Sequence, residues 1–346
     1  MHDGTMPAAV LHGPGDLRVE QRPVPVPGPH DVVVEVSHCG VCGTDLHMVV
    51  EGWGRPGSVG GHEWSGTVVA VGSDVSTPAV GDAVVGGPPP GCGTCTPCHA
   101  RQPSLCLDRA QPGDEDGDGA FARYVRAHRD AVVPVPAGLD LRIAALAEPL
   151  AVALHAVTRS GVRPGQRALV TGAGPIGALA VVALRARGVG EVLVSEPSPA
   201  RQALAERLGA TVVDPASFDV PNIAEPARIV TDAVDVALEC SGKRPAMEAA
   251  FTQLRRGGTL VLVGTGIEAP RLDPNRMILN ELVVTGAFEY DADGIAEALD
   301  LLASGTADVG ALIEPEDVGL DELGAAMVDL AAGRIAGKVL VAPGGA

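Results

Sequence analysis

The stretch Val170-Thr171-Gly172-Ala173-Gly174-Pro175-Ile176-Gly177 constrains this chain more than any other. The apolar run Ala168 to Thr171 leads into it, and Ile176 to Arg187 repeats apolar residues at helical spacing. The glycines therefore fall on a strand-to-helix turn. Gly172 suits the tight turn, Gly174 lets backbone approach a pyrophosphate, and Gly177 lets the helix pack closely on its strand. Pro175 and Ile176 open the helix, whose unpaired N–H groups and partial positive charge suit phosphates. Glu196 ends the next predicted strand, Glu191 to Ser195, at the spacing of about 20 residues expected of a ribose-binding carboxylate. The same charge repels a 2′-phosphate, which predicts NAD over NADP. Arg201, the nearest basic group, lies a helical turn further on. Gly172, Gly174, Pro175, Ile176, Gly177, Glu196 and Arg201 are thus the candidate cofactor-binding residues.

Around this turn the texture of the chain divides in two. Residues 6 to 36 read as short β segments broken by Pro and Gly, with Val32 to Val36 the clearest. Thr67 to Val71 is another strand, and Val80 to Val84 a turn into a further one. The run Asp114-Glu115-Asp116-Gly117-Asp118-Gly119 reads as a solvated turn and lacks the bidentate Glu of an EF-hand. From Leu141 the pattern changes: Leu141 to Val157 is helical, and strands and helices then alternate. The strands are 191–195, 211–213, 234–239, 259–263 and 282–286, and the helices 199–208 and 245–254. Such alternation means a parallel sheet with helices on both faces. Asp293 to Ala303 is then a helix, and Gly337 to Val341 a terminal strand.

The formal net charge of −18 excludes a phosphate-backbone partner, so no nucleic-acid role is expected. No apolar run approaches the length of a membrane span. Met1-His2-Asp3-Gly4 is not a basic stretch followed by an apolar one, so a cytoplasmic location is expected.

Four of the seven cysteines crowd into Cys92-x2-Cys95-x2-Cys98-x7-Cys106. Four thiolates on one short loop can close a tetrahedral shell around zinc with no open position, which defines a structural site. Two disulfides or an iron–sulfur cluster are the alternatives for such a loop. A second set is dispersed: Cys42, His62, Glu63 and Glu148. Thiolate, imidazole and carboxylate are all zinc ligands, and three ligands plus a water make a catalytic site. Spacing alone does not join these four.

A resemblance joins them. Cys42-Gly43-Thr44-Asp45-x-His47, Gly61-His62-Glu63, the four-cysteine loop, Glu148-Pro149-Leu150 and the glycine turn occur in the order and spacing of one superfamily. The chain resembles the zinc-dependent medium-chain dehydrogenases/reductases, the group that includes alcohol dehydrogenases, over essentially its whole length. The Glu-Pro-Leu and Cys-Gly-Thr-Asp motifs are most similar to the polyol (sorbitol), threonine and butanediol dehydrogenase branch. The resemblance implies an α/β fold: a Rossmann doubly wound parallel-sheet domain over 152–288, plus an irregular, mostly β, GroES-like catalytic domain. The latter is expected at 1–151, completed by 289–346.

It further implies Cys42 and His62 as ligands of a catalytic zinc, with Glu148 or Glu63 as the carboxylate. Cys39 is then a spare buried thiol, and Asp45 orients His62. Thr44 takes the substrate's proton and passes it through the cofactor ribose to His47. Two zinc ions per chain and NAD are the expected cofactors, and a homodimer or homotetramer the expected assembly. The expected reaction is hydride transfer between NAD and a polar secondary alcohol: a polyol, cyclitol, amino alcohol or diol. Simple primary alcohols, or a catalytically silent nucleotide-binding relative, are the alternatives.

Overall fold

The computed structural model describes residues 4–88, 91–108, 119–221 and 224–345, and the chain divides into two compact units. The acidic residues Asp114 to Asp118, read above as a solvated turn, lie outside the described residues.

The first unit comprises residues 1–148, 291–305 and 313–346. Its hairpin β1 (Thr5–Gly13) and β2 (Asp16–Pro23) precedes β3 (Asp31–Gly40). Helix α1 (Gly43–Val49) is followed by β4 (Glu63–Val71) and β5 (Ala83–Gly86). The short helix α2 (Thr96–His99) lies in the cysteine loop, before β6 (Tyr124–His128), β7 (Val132–Pro134) and α3 (Leu141–Ala144). β3 is the organising strand, pairing antiparallel with β4, with β6 and, across its Cys39–Gly40 end, with the last strand of the chain. Val32, Val34 and Val36 point inward with Trp64, Val68, Val84 and Phe121 to form this unit's core, the two-residue period of a half-buried sheet. The strand runs well beyond the predicted Val32–Val36 because its partners on both edges continue to Gly40.

The helix expected over 141–157 is two. α3 is capped by Asp140, which accepts from the Arg142 N–H at 2.7 Å. α4 (Ala147–Ser160) begins afresh because Pro149 has no N–H with which to continue the earlier turn.

The second unit, residues 149–290 and 306–312, holds β8 (Arg167–Thr171), α5 (Pro175–Ala186), β9 (Glu191–Ser195), α6 (Pro199–Arg207) and β10 (Thr211–Val213). It continues with β11 (Val234–Glu239), α7 (Arg244–Thr252), β12 (Leu254–Leu262), α8 (Pro274–Asn280) and β13 (Val283–Gly286). All six strands are parallel in the order β10-β9-β8-β11-β12-β13. With β8 counted first this is the 3-2-1-4-5-6 order of a Rossmann sheet, whose direction reverses between β8 and β11. β12 starts five residues earlier than the pattern suggested, because Leu254 already pairs with Val234.

The chain then returns to the first unit with α9 (Gly294–Ala303), α10 (Leu323–Ala331) and β14 (Leu340–Val341). α10, which the sequence reading did not anticipate, adds Leu323, Ala326 and Met327 to the first core.

Candidate active site and metal centres

The glycine turn is built as its sequence demands. Gly172 has φ +86°, and a Cβ there would meet Ser241 at 2.7 Å; a Cβ on Gly177 would press on the Gly172 carbonyl. Around Gly174 there is open space, and Pro175 occupies the first helical position of α5. Glu196 is buried, 3% exposed. One of its oxygens accepts from the Ala173 N–H at 2.7 Å and the other from the Ser198 N–H at 2.9 Å. It therefore splints the turn to the end of β9. Each carboxylate oxygen keeps a lone pair beyond that bond. Arg201 is half-buried on α6.

The four sulfurs of Cys92, Cys95, Cys98 and Cys106 lie within 4.8 Å of one another. Gly91 makes this possible, since a Cβ there would meet the Cys98 sulfur at 2.7 Å. The Thr94 hydroxyl and neighbouring N–H groups draw the Cys92 thiol down to about 6, while desolvation pushes Cys98 up to about 12. All seven cysteines are free thiols. Four soft donors gathered without a disulfide fit a closed zinc shell.

The dispersed residues converge as well. Ligand atoms of Cys42, His62 and Glu63 lie within 4.8 Å of one another. Cys42 caps α1, and Glu63 starts β4 directly opposite Gly40 of β3. A Cβ on Gly40 would lie 2.2 Å from Glu63 Oε2, so only glycine leaves room for that carboxylate. Asp45 accepts from the Cys42 N–H at 2.9 Å and faces His62 Nδ1 at 3.8 Å, an ionic rather than a hydrogen-bonded distance. Burial raises the Asp45 carboxyl against the pull of His62. Burial works against a charged His62, but Asp45, Cys42 and Glu148 outweigh it and hold the imidazole well above its usual pKa. Glu148, buried in the first turn of α4, is close enough for that influence but stands outside the three-residue group. Cys39 is fully buried, and burial pushes its thiol up.

Sequence reasoning missed one member of this site. Lys338 is 2% exposed, and its Nζ donates to Glu63 Oε2 at 2.5 Å and to the Val41 carbonyl at 3.0 Å. Burial would lower the ammonium pKa, and Glu63, Cys42 and Glu148 together more than reverse that. A weak signal existed: only positions 243 and 338 carry Lys in a chain whose other basic residues are all Arg. Glu63 Oε1, by contrast, is buried with no hydrogen-bond partner among the described residues. An unsatisfied carboxylate oxygen beside a thiol and an imidazole fits a bound cation, because a buried polar atom is otherwise costly.

Thr44 lies beside this group, its Oγ1 3.7 Å from the Cys42 sulfur. His47 sits one turn further along α1, its Nδ1 2.8 Å from Glu51 and its ring stacked on Trp53. The sequence pattern assigns no role to Glu51.

Comparison with known proteins agrees with this architecture. Residues 28–137 match the alcohol dehydrogenase GroES-like domain family, and residues 175–304 the zinc-binding dehydrogenase family. The chain is 34% identical over 319 residues to sorbitol dehydrogenase of Bacillus subtilis (strain 168), covering 89% of each chain. Among solved structures it resembles 2R,3R-butanediol dehydrogenase from Bacillus subtilis, with a TM-score of 0.85 and 33% identity over 98% of this chain and 99% of that one. It matches equally well a Sinorhizobium meliloti 1021 structure described as a zinc-binding dehydrogenase bound to NADP (TM-score 0.85, 33% identity, 98% and 99% covered). The chain belongs to the zinc-binding alcohol dehydrogenases of the medium-chain dehydrogenase/reductase superfamily. Within it, the chain is an oxidoreductase of the polyol branch, the one that contains sorbitol and butanediol dehydrogenases. Among the described residues no helix is long and apolar enough to cross a membrane.

Proposed function

We propose that this chain oxidises a polar secondary alcohol, a polyol, cyclitol, amino alcohol or diol, with NAD, and holds two zinc ions. The observation that carries the proposal is the convergence of Cys42, His62 and Glu63 within 4.8 Å, with Thr44 beside them. In this reading Cys42, His62 and Glu63 or Glu148 hold the catalytic ion, and Cys92, Cys95, Cys98 and Cys106 the structural one. The catalytic lobe is 1–151 with 289–346, and the dinucleotide domain 152–288. When bound, zinc supplies Lewis-acid polarisation of the alcohol oxygen and the nicotinamide accepts the hydride. The Thr44 hydroxyl accepts the alcohol proton, and His47 returns it to solvent. Lys338 neutralises Glu63, so a thiolate and a carboxylate can share one site without two unbalanced negative charges. The backbone of the glycine turn binds the pyrophosphate.

Turnover of the purified protein with NAD on polyols, diols, amino alcohols and cyclitols tests this. We expect these substrates to exceed ethanol and benzyl alcohol in kcat/KM; the reverse order would refute the substrate class.

Cofactor choice is the sharper test, since one structural neighbour is bound to NADP. Glu196, splinted against the turn, places a fixed negative charge where a 2′-phosphate would sit. Wild type should prefer NAD. Glu196→Ala should narrow that preference and also lose about 1–3 kcal/mol of stability, because the Ala173 and Ser198 N–H groups lose their acceptors. Side-by-side kinetics showing a wild-type preference for NADP would overturn the assignment.

A homo-oligomer is also proposed. β13 is an edge strand whose Val283 is 50% exposed, and Ile278 and Leu279 on the preceding helix α8 are 71% and 55% exposed; such edges are ordinarily covered. A monomer in sedimentation analysis would contradict it. A reducing, cytoplasmic compartment suits the seven free thiols; an oxidised disulfide in protein isolated from the cell would argue otherwise.

A further inference from the structure

His47 is held on two sides. Its Nδ1 lies 2.8 Å from Glu51 Oε2, four residues on, the spacing at which helix side chains meet. Its face stacks on the Trp53 indole, with ring centres 4.7 Å apart and planes 16° from parallel. The chain is bent to allow this. Gly52 has φ +79°, and a Cβ there would meet Pro14 at 2.8 Å, so the turn needs glycine. The Trp53 N–H then donates to the His47 carbonyl at 3.2 Å, folding the indole back over the ring. Nε2 makes no hydrogen bond among the described residues.

These contacts decide the chemistry of the ring. An ionised carboxylate only accepts, so Glu51 keeps a proton on Nδ1. The neutral imidazole then has its free lone pair on Nε2, and the indole prevents the ring from flipping to exchange the two atoms. We propose that Glu51 and Trp53 are positioning residues for His47, fixing it as the tautomer whose Nε2 alone exchanges protons with solvent. Nε2 takes up one proton, giving an imidazolium held between a carboxylate and an aromatic face, and then gives that proton to water. This rests on the reading of His47 as the proton exit and adds the device that makes it directional.

Several other charges near α1 are engaged elsewhere, including Asp45 on the same helix, which faces His62. On the β1–β2 hairpin, His12 pairs with Glu20 and Arg18 with Asp16; on α10, Asp329 pairs with Arg334. Glu51 is the charged group in direct contact with His47.

The stack provides its own readout. Protonated imidazole quenches a stacked indole, and the chain's other tryptophan, Trp64, is buried on β4. Fluorescence of the zinc-loaded protein, minus that of Trp53→Phe, should fall as pH drops through the titration of His47. The transition should vanish in His47→Gln. In Glu51→Gln it should move to lower pH, because the imidazolium loses the carboxylate that contacts Nδ1. Kinetically, Glu51→Gln and Trp53→Ala should lower kcat about tenfold and change KM less than twofold, the signature of a proton-transfer rather than a binding defect. An unmoved transition in Glu51→Gln, or one that persists in His47→Gln, overturns the proposal. So does a Glu51→Gln or Trp53→Ala protein that keeps wild-type kcat while His47→Gln loses it. If His47→Gln itself retains full kcat, the proton-exit reading fails instead, and the fluorescence transitions still report whether the clamp exists.

Discussion

Cys42→Ser should abolish turnover and leave a folded protein with one zinc per chain instead of two. The thiolate is one of three donors in a small group, and a serine hydroxyl at that position is a poor zinc ligand. Loss of Lewis-acid polarisation costs several kcal/mol of transition-state stabilisation, so a fall of about a thousandfold or more in kcat/KM follows, at 1.36 kcal/mol per decade. Stability should barely change, because serine is itself a favoured residue at the helix N-cap that Cys42 occupies. Cys95→Ser should do the opposite. Its loop has four clustered sulfurs, the short helix α2 and one 3-10 turn, Pro103–Leu105, and such sites contribute folding energy directly, with apparent zinc-binding free energies of about 10–16 kcal/mol in peptides. Chelators should therefore strip the Cys42 site first, taking activity with it. Elemental analysis finding a single zinc in active wild-type protein, or two in Cys42→Ser, would remove the two-site reading.

Lys338→Met should be the most destabilising single change outside the cysteine loop. It leaves the Glu63 carboxylate, itself 0% exposed, without the ammonium that now donates to Oε2. Breaking a buried pair from one side costs about 3–5 kcal/mol, because the remaining charge is stranded. At about 2–4 °C per kcal/mol for a domain of this size, the melting temperature should fall by about 10 °C. Lys338→Met combined with Glu63→Gln should recover much of this, since the stranded charge is removed with its partner. Lys338→Arg should not substitute: the site is closed, and a guanidinium is larger than the ammonium it replaces. A Lys338→Met protein that melts with wild type would show that the pair is not the buried electrostatic tie described here.

These two predictions separate what short-range spacing encodes from what it does not. The four cysteines of the loop span residues 92 to 106, so their spacing alone brings the sulfurs together, helped by Gly91. The glycine turn is equally local. Gly172 is required by its own positive φ and Gly177 by its packing on the nearby Gly172 carbonyl, and the strand and helix on either side are marked by their own periods. The alternating strands and helices from 167 to 262 were legible for the same reason, whereas α8, before the last strand, was not. Tertiary pairing extended β3 and β12 beyond their local pattern, whereas Pro149, a local signal, divided one helix into two.

The dispersed site is a different case. Motif resemblance grouped Cys42, His62, Glu63 and Glu148 by function, but no spacing rule places residue 42 against residues 62 and 63. The antiparallel register of β3 and β4, with Gly40 opposite Glu63, does that. On the other side of β3, Leu340 pairs with Gly40 and Val341 with Cys39, and this carries Lys338 to Glu63 across 275 residues. By itself the sequence determined the fold class, the nucleotide turn and the thiolate loop, because each is specified by contacts within a few residues. Only the tertiary structure decided which carboxylate stands beside Cys42 and His62, which cation balances it, and which groups hold His47. Each of those depends on strand register or chain return, and a buried charge finds its partner only when the sheet closes around both.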